Sequence, residues 1–211
     1  MKVGILGTGD VGKALGKAFI DLGNDVLMGA REAGNPKAAS FAKEYRAKAG
    51  TFADAARFGD IVVLATLGTA TESAIKLAGL DSFNGKLVID TTNPLDFSGG
   101  AVKLSVGTTD SAGEQVQRLL PQAKVVKAFN TVGNSLMYQP KLPGGPPDMF
   151  IAGEDEGAKK QVADLLRDFG WGTVDLGGIA ASRYLEPMCL AWVAYASRTN
   201  TWTHAFKLLR K

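Results

Sequence analysis

Short apolar runs alternate along the chain with longer stretches whose apolar positions recur every three or four residues. That is the pattern of parallel strands buried on both faces and joined by amphipathic helices. Val3, Ile5 and Leu6 form the first run, and Val11, Leu15, Ala18, Phe19 and Leu22 the first helical face. Asp25 to Gly29 is a second strand at βαβ spacing, and a surface helix over 36–48 carries Ala38, Phe41, Ala42 and Tyr45 on one side. Thr51-Phe52 predicts a short edge strand and Ala53 to Phe58 a helical turn. Strands follow at Asp60 to Ala65, Lys86 to Asp90, Lys124 to Phe129, Asp148 to Ala152 and Gly172 to Leu176, with helices at Ala70 to Leu77, Ser111 to Leu120 and Ala158 to Phe169. The expectation is an α/β fold: a doubly wound, mostly parallel sheet of about eight strands over residues 1–176, with a short C-terminal helical segment over 177–211.

Three stretches depart from the alternation. Residues 95–109 are rich in Gly, Ser and Thr without an apolar period, and read as a loop on the ligand side of the sheet. Pro140 to Pro147, with four prolines and two glycines, is the strongest break in the chain. In the C-terminal segment, Tyr184, Leu185, Met188, Leu190, Ala191, Trp192, Val193 and Tyr195 leave a helix no polar side. Such a helix is either buried centrally or covered by another subunit, and a homodimer contact is the favoured expectation.

The turn after the first strand reads Gly7-Thr8-Gly9-Asp10-Val11-Gly12. Strand, G-x-G-x-x-G turn and helix in immediate succession predict a Rossmann-type dinucleotide site: Gly7 for the sharp turn, Gly9 for close approach of backbone N–H groups to a pyrophosphate, Gly12 for packing of helix on strand. The helix N-terminus adds partial positive charge. At the end of the second strand, where a carboxylate would accept from the ribose of NAD, stands Gly29-Ala30-Arg31. Arg31 offers a planar charged fork suited to a 2′-phosphate, with Lys37 further along, which favours NADP. A strand ending one residue later would instead bring the carboxylate of Glu32 to the ribose. Thr66-Leu67 follows the strand at 60–65, Asn93-Pro94 the strand at 86–90 and Asn130 the strand at 124–129, so all reach the carboxyl edge where a doubly wound sheet meets its ligand. Asn93 and Asn130 are expected to border one side of the nicotinamide pocket and Thr66 and Leu67 the other; a plain turn is the alternative at Asn93.

Composition narrows the function classes. In 211 residues with 45% hydrophobic content the formal net charge is +3, without any block of Lys and Arg. That suits anionic small ligands and excludes a nucleic-acid groove. No apolar stretch is long enough for a membrane span, and charges and glycines interrupt residues 1–20 where a signal peptide needs a continuous apolar segment, so a cytoplasmic protein is expected. The single cysteine, Cys189, excludes an internal disulfide and a cysteine-based metal site, and reads as a core thiol. His204, the only histidine, reads as structural, and Tyr45 and Lys48 as surface residues. No histidine dyad, metal cluster or nucleophile with its base can be picked out, so no catalytic side chain is expected. Hydride transfer fits, because it needs position more than acid–base groups. The competing expectations are an imine or hydroxy-acid reductase, for whose large second domain the 35 residues after Leu176 are too few, and a non-catalytic NADPH-binding module.

The glycine turn, Gly29-Ala30-Arg31, Asp90-Thr91-Thr92-Asn93-Pro94-Leu95, Val126-Lys127-Ala128-Phe129-Asn130-Thr131 and the closing Ala205-Phe206-Lys207-Leu208-Leu209-Arg210 together resemble the NADP oxidoreductases that use the deazaflavin coenzyme F420. The resemblance extends over the whole chain and is shared with the cytosolic NADPH-binding domain of certain membrane metalloreductases. It implies NADP as cofactor and a small-molecule hydride acceptor, coenzyme F420 or a flavin, as second substrate. Two positions depart from the family pattern: Asp10 stands where Asn is common, and Ala30 replaces a Ser or Thr before Arg31.

Overall fold

Helices cross over between the strands, which assemble into one large sheet. The computed structural model describes residues 1–211. Its elements are β1 (Lys2–Leu6), α1 (Asp10–Asp21), β2 (Asp25–Ala30), α2 (Pro36–Tyr45), β3 (Lys48–Thr51), α3 (Phe52–Phe58), β4 (Ile61–Leu64), α4 (Thr71–Ala78) and β5 (Leu87–Asp90). There follow β6 (Leu95–Asp96), β7 (Lys103–Leu104), α5 (Ala112–Leu119), β8 (Lys124–Lys127), β9 (Asp148–Gly153), α6 (Glu156–Asp168), β10 (Gly172–Asp175) and α7 (Ser182–Thr199).

The main sheet has eight strands in the order β10-β9-β8-β5-β4-β1-β2-β3. Strands β1 to β5 and β8 run parallel, β9 pairs antiparallel with β8, and β10 is parallel to β9. The chain winds outward from β1 through β2 to β3, then returns to β4 and winds the other way. The crevice between β1 and β4 is therefore a topological switch point, where such sheets take their ligands.

Alternation within the strands feeds two cores. Val3, Ile5, Val63, Ile89 and Val126 face a core completed by Leu15 and Phe19 of α1, Phe41 of α2, and Val162 and Leu166 of α6. Leu6, Val62, Leu64, Val88 and Val125 face the other, with Ala55 of α3, Ile75 of α4 and Val116 of α5. Gly4, on β1, lies so close under α3 that a methyl there would collide with the carbonyl oxygen of Ala55.

Several boundaries differ from the sequence reading, each for a local reason. The helix expected over 36–48 stops at Tyr45, because Arg46 turns left-handed with φ 55° and its N–H bonds back to Ala42. Lys48 consequently leaves the helix and opens β3. Thr51 ends β3 and caps α3 instead of opening a strand with Phe52: its hydroxyl accepts from Asp54 N at 3.1 Å while Asp54 Oδ2 accepts from Thr51 N at 2.9 Å, a closed capping box. The stretch 95–109 is not irregular throughout, since β6 and β7 pair as a small antiparallel ribbon tied down by Ser105 N donating to Pro94 O at 2.7 Å.

The C-terminal helix needs the largest correction. In α7 the residues Ser182, Leu185, Glu186, Cys189, Trp192 and Ala196 form a buried stripe at helical spacing, packed within the chain itself, whereas Tyr184 and Tyr195 are 70% and 51% exposed. The helix has a polar residue in that stripe after all: Glu186 is buried. Burial pushes the Cys189 thiol up to about 11, which leaves it protonated and unreactive at neutral pH. Beyond α7 the tail returns along the sheet, with Asp148 N donating to Phe206 O at 2.9 Å, while the His204 ring stacks on Trp192 at 4.8 Å. No helix is long and apolar enough to cross a membrane.

The close approach of β1 to α3 sets a stability test. Gly4→Ala must push backbone apart, so it is expected to cost about 1–3 kcal/mol of unfolding free energy in chemical denaturation. Gly100→Ala, where a methyl meets nothing within 4 Å, serves as the control and should change it by less than about 0.5 kcal/mol.

Candidate functional site

At the carboxyl ends of β1, β4 and β5 the loops part around a cleft of about 650 Å³. The sheet order fixes the sequence of features across it: the Arg31 end of β2, then the turn Gly7 to Val11 after β1, then Thr66 to Ala70 after β4, then Thr91 to Asn93 after β5. From β2 to β5 is three strand spacings, or about 14 Å.

The centre of the cleft presents backbone N–H groups at the start of α1. Helices α2, α3, α5 and α6 begin with side-chain caps from Asn35, Thr51, Ser111 and Asp155, whereas α1, like α4 and α7, begins with none, and its cap position, Gly9, lies in the cleft. Its first N–H groups are left for a ligand. A methyl on Gly9 would meet no atom within 4 Å, so the space in front of the turn is open. Gly7, by contrast, has φ +130°, and a side chain there would strike the Ala65 carbonyl of the neighbouring strand end. Asp10 is exposed and faces the cleft from the first turn of α1.

The other expected residues separate into groups. Arg31 lines the cleft and also an adjoining polar recess of about 310 Å³ that it shares with Thr8, Ala30, Glu32, Asn35 and Phe52. Lys37 lies outside both, on a shallow groove of about 260 Å³ with Lys13, Ser40 and Tyr45, because its position in the first turn of α2 turns it from the β2 end. Thr66, Leu67 and Asn93 line the cleft. Pro94 is turned to a second cavity of about 460 Å³, which shares Gly68, Thr69 and Thr92 with the cleft and extends to Ser105 and Arg118. Asn130 is buried behind Asn93 rather than on the cleft surface: its amide donates to Asn93 Oδ1 at 3.0 Å and to Leu185 O at 2.9 Å, and Asn93 Nδ2 donates to Asn130 O at 2.8 Å.

Sequence reasoning passed over two sets of residues. Phe97, 69% exposed, joins Leu67, 79% exposed, to give the β5 side of the cleft an apolar rim. Its position in an apparently irregular stretch gave no periodic signal. Behind the cleft lies a buried ionic cluster. Lys127 Nζ is 2.7 Å from Asp90 Oδ2 and 3.1 Å from Glu186 Oε1, and donates to Thr92 O at 2.9 Å. Asp90 Oδ1 accepts from Thr92 N and from its hydroxyl, at 2.9 and 2.7 Å. Both oxygens of Glu186 accept from the first N–H groups of α5, those of Ala112 and Gly113, at 3.0 Å. Burial alone would lower the Lys127 pKa, but the Asp90 and Glu186 carboxylates outweigh it and hold the ammonium above the ordinary lysine value. A lysine inside the run Val125-Val126-Lys127-Ala128 was the available signal, since a charge in a doubly covered strand requires a partner. A second pair ties the same helices at their edge: Arg183 meets Glu114 in a fork with bonds of 2.8 and 2.6 Å, and that guanidinium holds the Glu114 carboxyl below its usual range.

Comparison with known proteins accords with this geometry. The family described as NADP oxidoreductase, coenzyme F420-dependent, matches residues 2–94, which contain β1 to β5 and most of the cleft. The F420-dependent NADP reductase of Methanocaldococcus jannaschii is 33% identical over 199 residues, covering 88% of each chain. The chain belongs to this family. A crystal structure from Arthrobacter sp. FB24, provisionally named an F420-dependent NADP reductase, superposes with a TM-score of 0.94 at 38% identity over the whole of both chains. Metalloreductase STEAP3 of Rattus norvegicus is 29% identical over 190 residues, which are 90% of this chain but 36% of that protein, so the chain spans about a third of its length. The match to the Methanocaldococcus reductase extends beyond residue 94, since it takes in 88% of this chain.

The ionic cluster makes a quantitative demand. Lys127→Met would leave Asp90 and Glu186 as buried carboxylates without their cation, and breaking a buried pair in this way costs about 3–5 kcal/mol. Urea denaturation is expected to show a loss of that size.

Proposed function

We propose that this protein is an NADP(H)-dependent oxidoreductase that exchanges a hydride between NADPH and a small deazaflavin or flavin-like acceptor, coenzyme F420 being the acceptor that family membership favours. The observation that carries the reading is the polarity of the cleft: a guanidinium at the β2 end, an uncapped helix N-terminus at the centre, and exposed Leu67 and Phe97 toward β5. In this reading the turn Gly7, Thr8, Gly9, Asp10 and Val11 surrounds the pyrophosphate, its N–H groups meeting phosphate oxygens. Arg31, in the recess it shares with Ala30, takes the 2′-phosphate, and Lys37 contributes only distant positive charge. Thr66, Leu67 and Asn93 border the nicotinamide, with Pro94 and Asn130 fixing the loop that carries Asn93. The cofactor and acceptor rings carry the reactive atoms. What the chain contributes is alignment and exclusion of water. No side chain is assigned a proton transfer. A cytoplasmic homodimer belongs to the same reading, supported by the exposed aromatic flank of Tyr184 and Tyr195 on α7.

The reading is tested by following NADPH oxidation against coenzyme F420, FMN and FAD, with turnover expected for at least one. NADPH binding with no transfer to any of the three would reduce the protein to a binding module.

One variant tests the placement of the pyrophosphate. Gly9→Ala puts a methyl into the open space at the turn, so it should leave thermal stability unchanged while weakening NADPH binding by about 1–3 kcal/mol, or roughly five- to 150-fold by calorimetric titration. Equal affinity in the two proteins would remove the pyrophosphate from this turn.

Arg31 decides the choice between cofactors. A hydrogen bond to a charged group contributes about 1.5–3 kcal/mol, so Arg31→Ala should lower NADPH affinity roughly tenfold to 150-fold while NADH binding changes little. Glu32→Ala should keep or strengthen the preference, since it removes a negative charge from the same recess. Wild-type protein that binds NADH as tightly as NADPH would give the ribose to Glu32.

A further inference from the structure

We propose that Lys127 and Glu186 are positioning residues for the cleft: buried charge anchored on α7 fixes the Thr92–Asn93 backbone that lines the cleft from the β5 side. The inference deepens the hydride-transfer reading and rests on it for its kinetic readout.

Neither residue touches the cleft, yet each is joined to the segment that does. The Lys127 ammonium donates to Thr92 O at 2.9 Å and is ion-paired with Asp90 Oδ2 at 2.7 Å and Glu186 Oε1 at 3.1 Å. Asp90 uses its other oxygen on the N–H and hydroxyl of Thr92. Thr92 is thus held at N, at O and at its side chain by two buried ionic groups. Its neighbour Asn93 is held through Asn130, whose amide also donates to the carbonyl of Leu185. Consecutive residues of α7, Leu185 and Glu186, therefore reach Asn93 and Thr92 by separate routes.

Stability alone does not account for such a cluster. Well-packed apolar side chains in place of a buried ionic group are often as stable or more so. What the ions add is stiffness, because moving Thr92 away would strand a charge without its partner in a site buried from solvent. A segment that borders reacting rings is where that stiffness has a use, since misplacement by an ångström can cost about 10²-fold in rate.

The test is the double variant Lys127→Met with Glu186→Gln, set beside Arg183→Gln. In the wild type two carboxylates face one ammonium, and in the double variant Asp90 alone remains charged, so the net buried charge is the same. Arg183→Gln cuts the Arg183–Glu114 fork between the same two helices, α5 and α7, without touching the cluster. Three quantities are measured: kcat and KM for NADPH in the hydride-transfer assay, the melting temperature, and hydrogen exchange at the Thr92 amide.

The double variant should lose roughly tenfold to hundredfold in kcat with KM for NADPH changed less than about threefold, and its Thr92 amide should exchange faster. Arg183→Gln should lower the melting temperature while kcat and Thr92 exchange stay at wild-type values. Unchanged kcat and exchange in the double variant would overturn the proposal, as would an equal kcat loss in Arg183→Gln at the same loss of melting temperature. Should the double variant not fold, Glu186→Gln alone is read by the same criteria. Absence of hydride transfer in the wild type would sink the functional reading, and Thr92 exchange would then decide the positioning role by itself.

Discussion

The structure depends on how little volume β1 presents to its surroundings. Its Gly4 sits against the Ala55 carbonyl of α3, Gly29 of β2 lies under the Ala55 methyl, and Gly59 enters β4 against the backbone of Gly4. Side chains at these positions would lift α3 off the sheet and open the second core. The same economy continues past the strand end, where Gly12 of α1 lies against the Gly7 carbonyl and Gly7 against that of Ala65. The backbones after β1 and β4 are thereby fixed in contact at their bases, and the crevice opens only above them. The cleft follows from backbone packing before any side chain lines it.

On the other flank, charge does what glycine does around β1. The strand end of β5, the loop after it, the N-terminus of α5 and the C-terminal helix converge on Lys127, and no two of them could shift independently without exposing an unpaired buried group. The helix α7 is therefore part of the cleft's construction, although it lines none of it. Its exposed aromatic flank is left free for other contacts by the burial of the opposite stripe.

This division explains what could be read from the sequence. Parallel strands covered on both faces appear as apolar runs whatever their tertiary neighbours, so β1, β2, β4, β5, β8, β9 and β10 were legible, as was the glycine turn, whose spacing is local. Arg46 was not, because a left-handed turn at a non-glycine residue has no sequence signature, and it moved Lys48 from helix to strand. The ribbon of β6 and β7 was too short to set a period. Asn130 was expected on the cleft surface because strand ends in a doubly wound sheet point there, but its partner Leu185 lies 55 residues on. The ionic cluster was hidden for the same reason, since Lys127 could be seen as anomalous but Glu186, within an apolar helix, could not be seen as its partner. Pairings at long separation are set by topology, and topology is what a sequence period does not encode.

The polarity of the cleft has a consequence for orientation. An extended ligand with an anionic end and a planar apolar end has two ways to lie across four strand ends. One puts the phosphate beside Arg31 and the ring between Leu67 and Phe97, where their exposed faces lose water on contact. The reverse leaves the guanidinium facing an apolar ring and carries charge to the apolar rim. With about 25 cal/mol per Å² of apolar surface covered and about 1.5–3 kcal/mol for the charged hydrogen bond, both contributions favour the same orientation. The exposed Asp10 opposes a pyrophosphate at the centre in either orientation, so it weakens both alike and leaves the choice to the two ends.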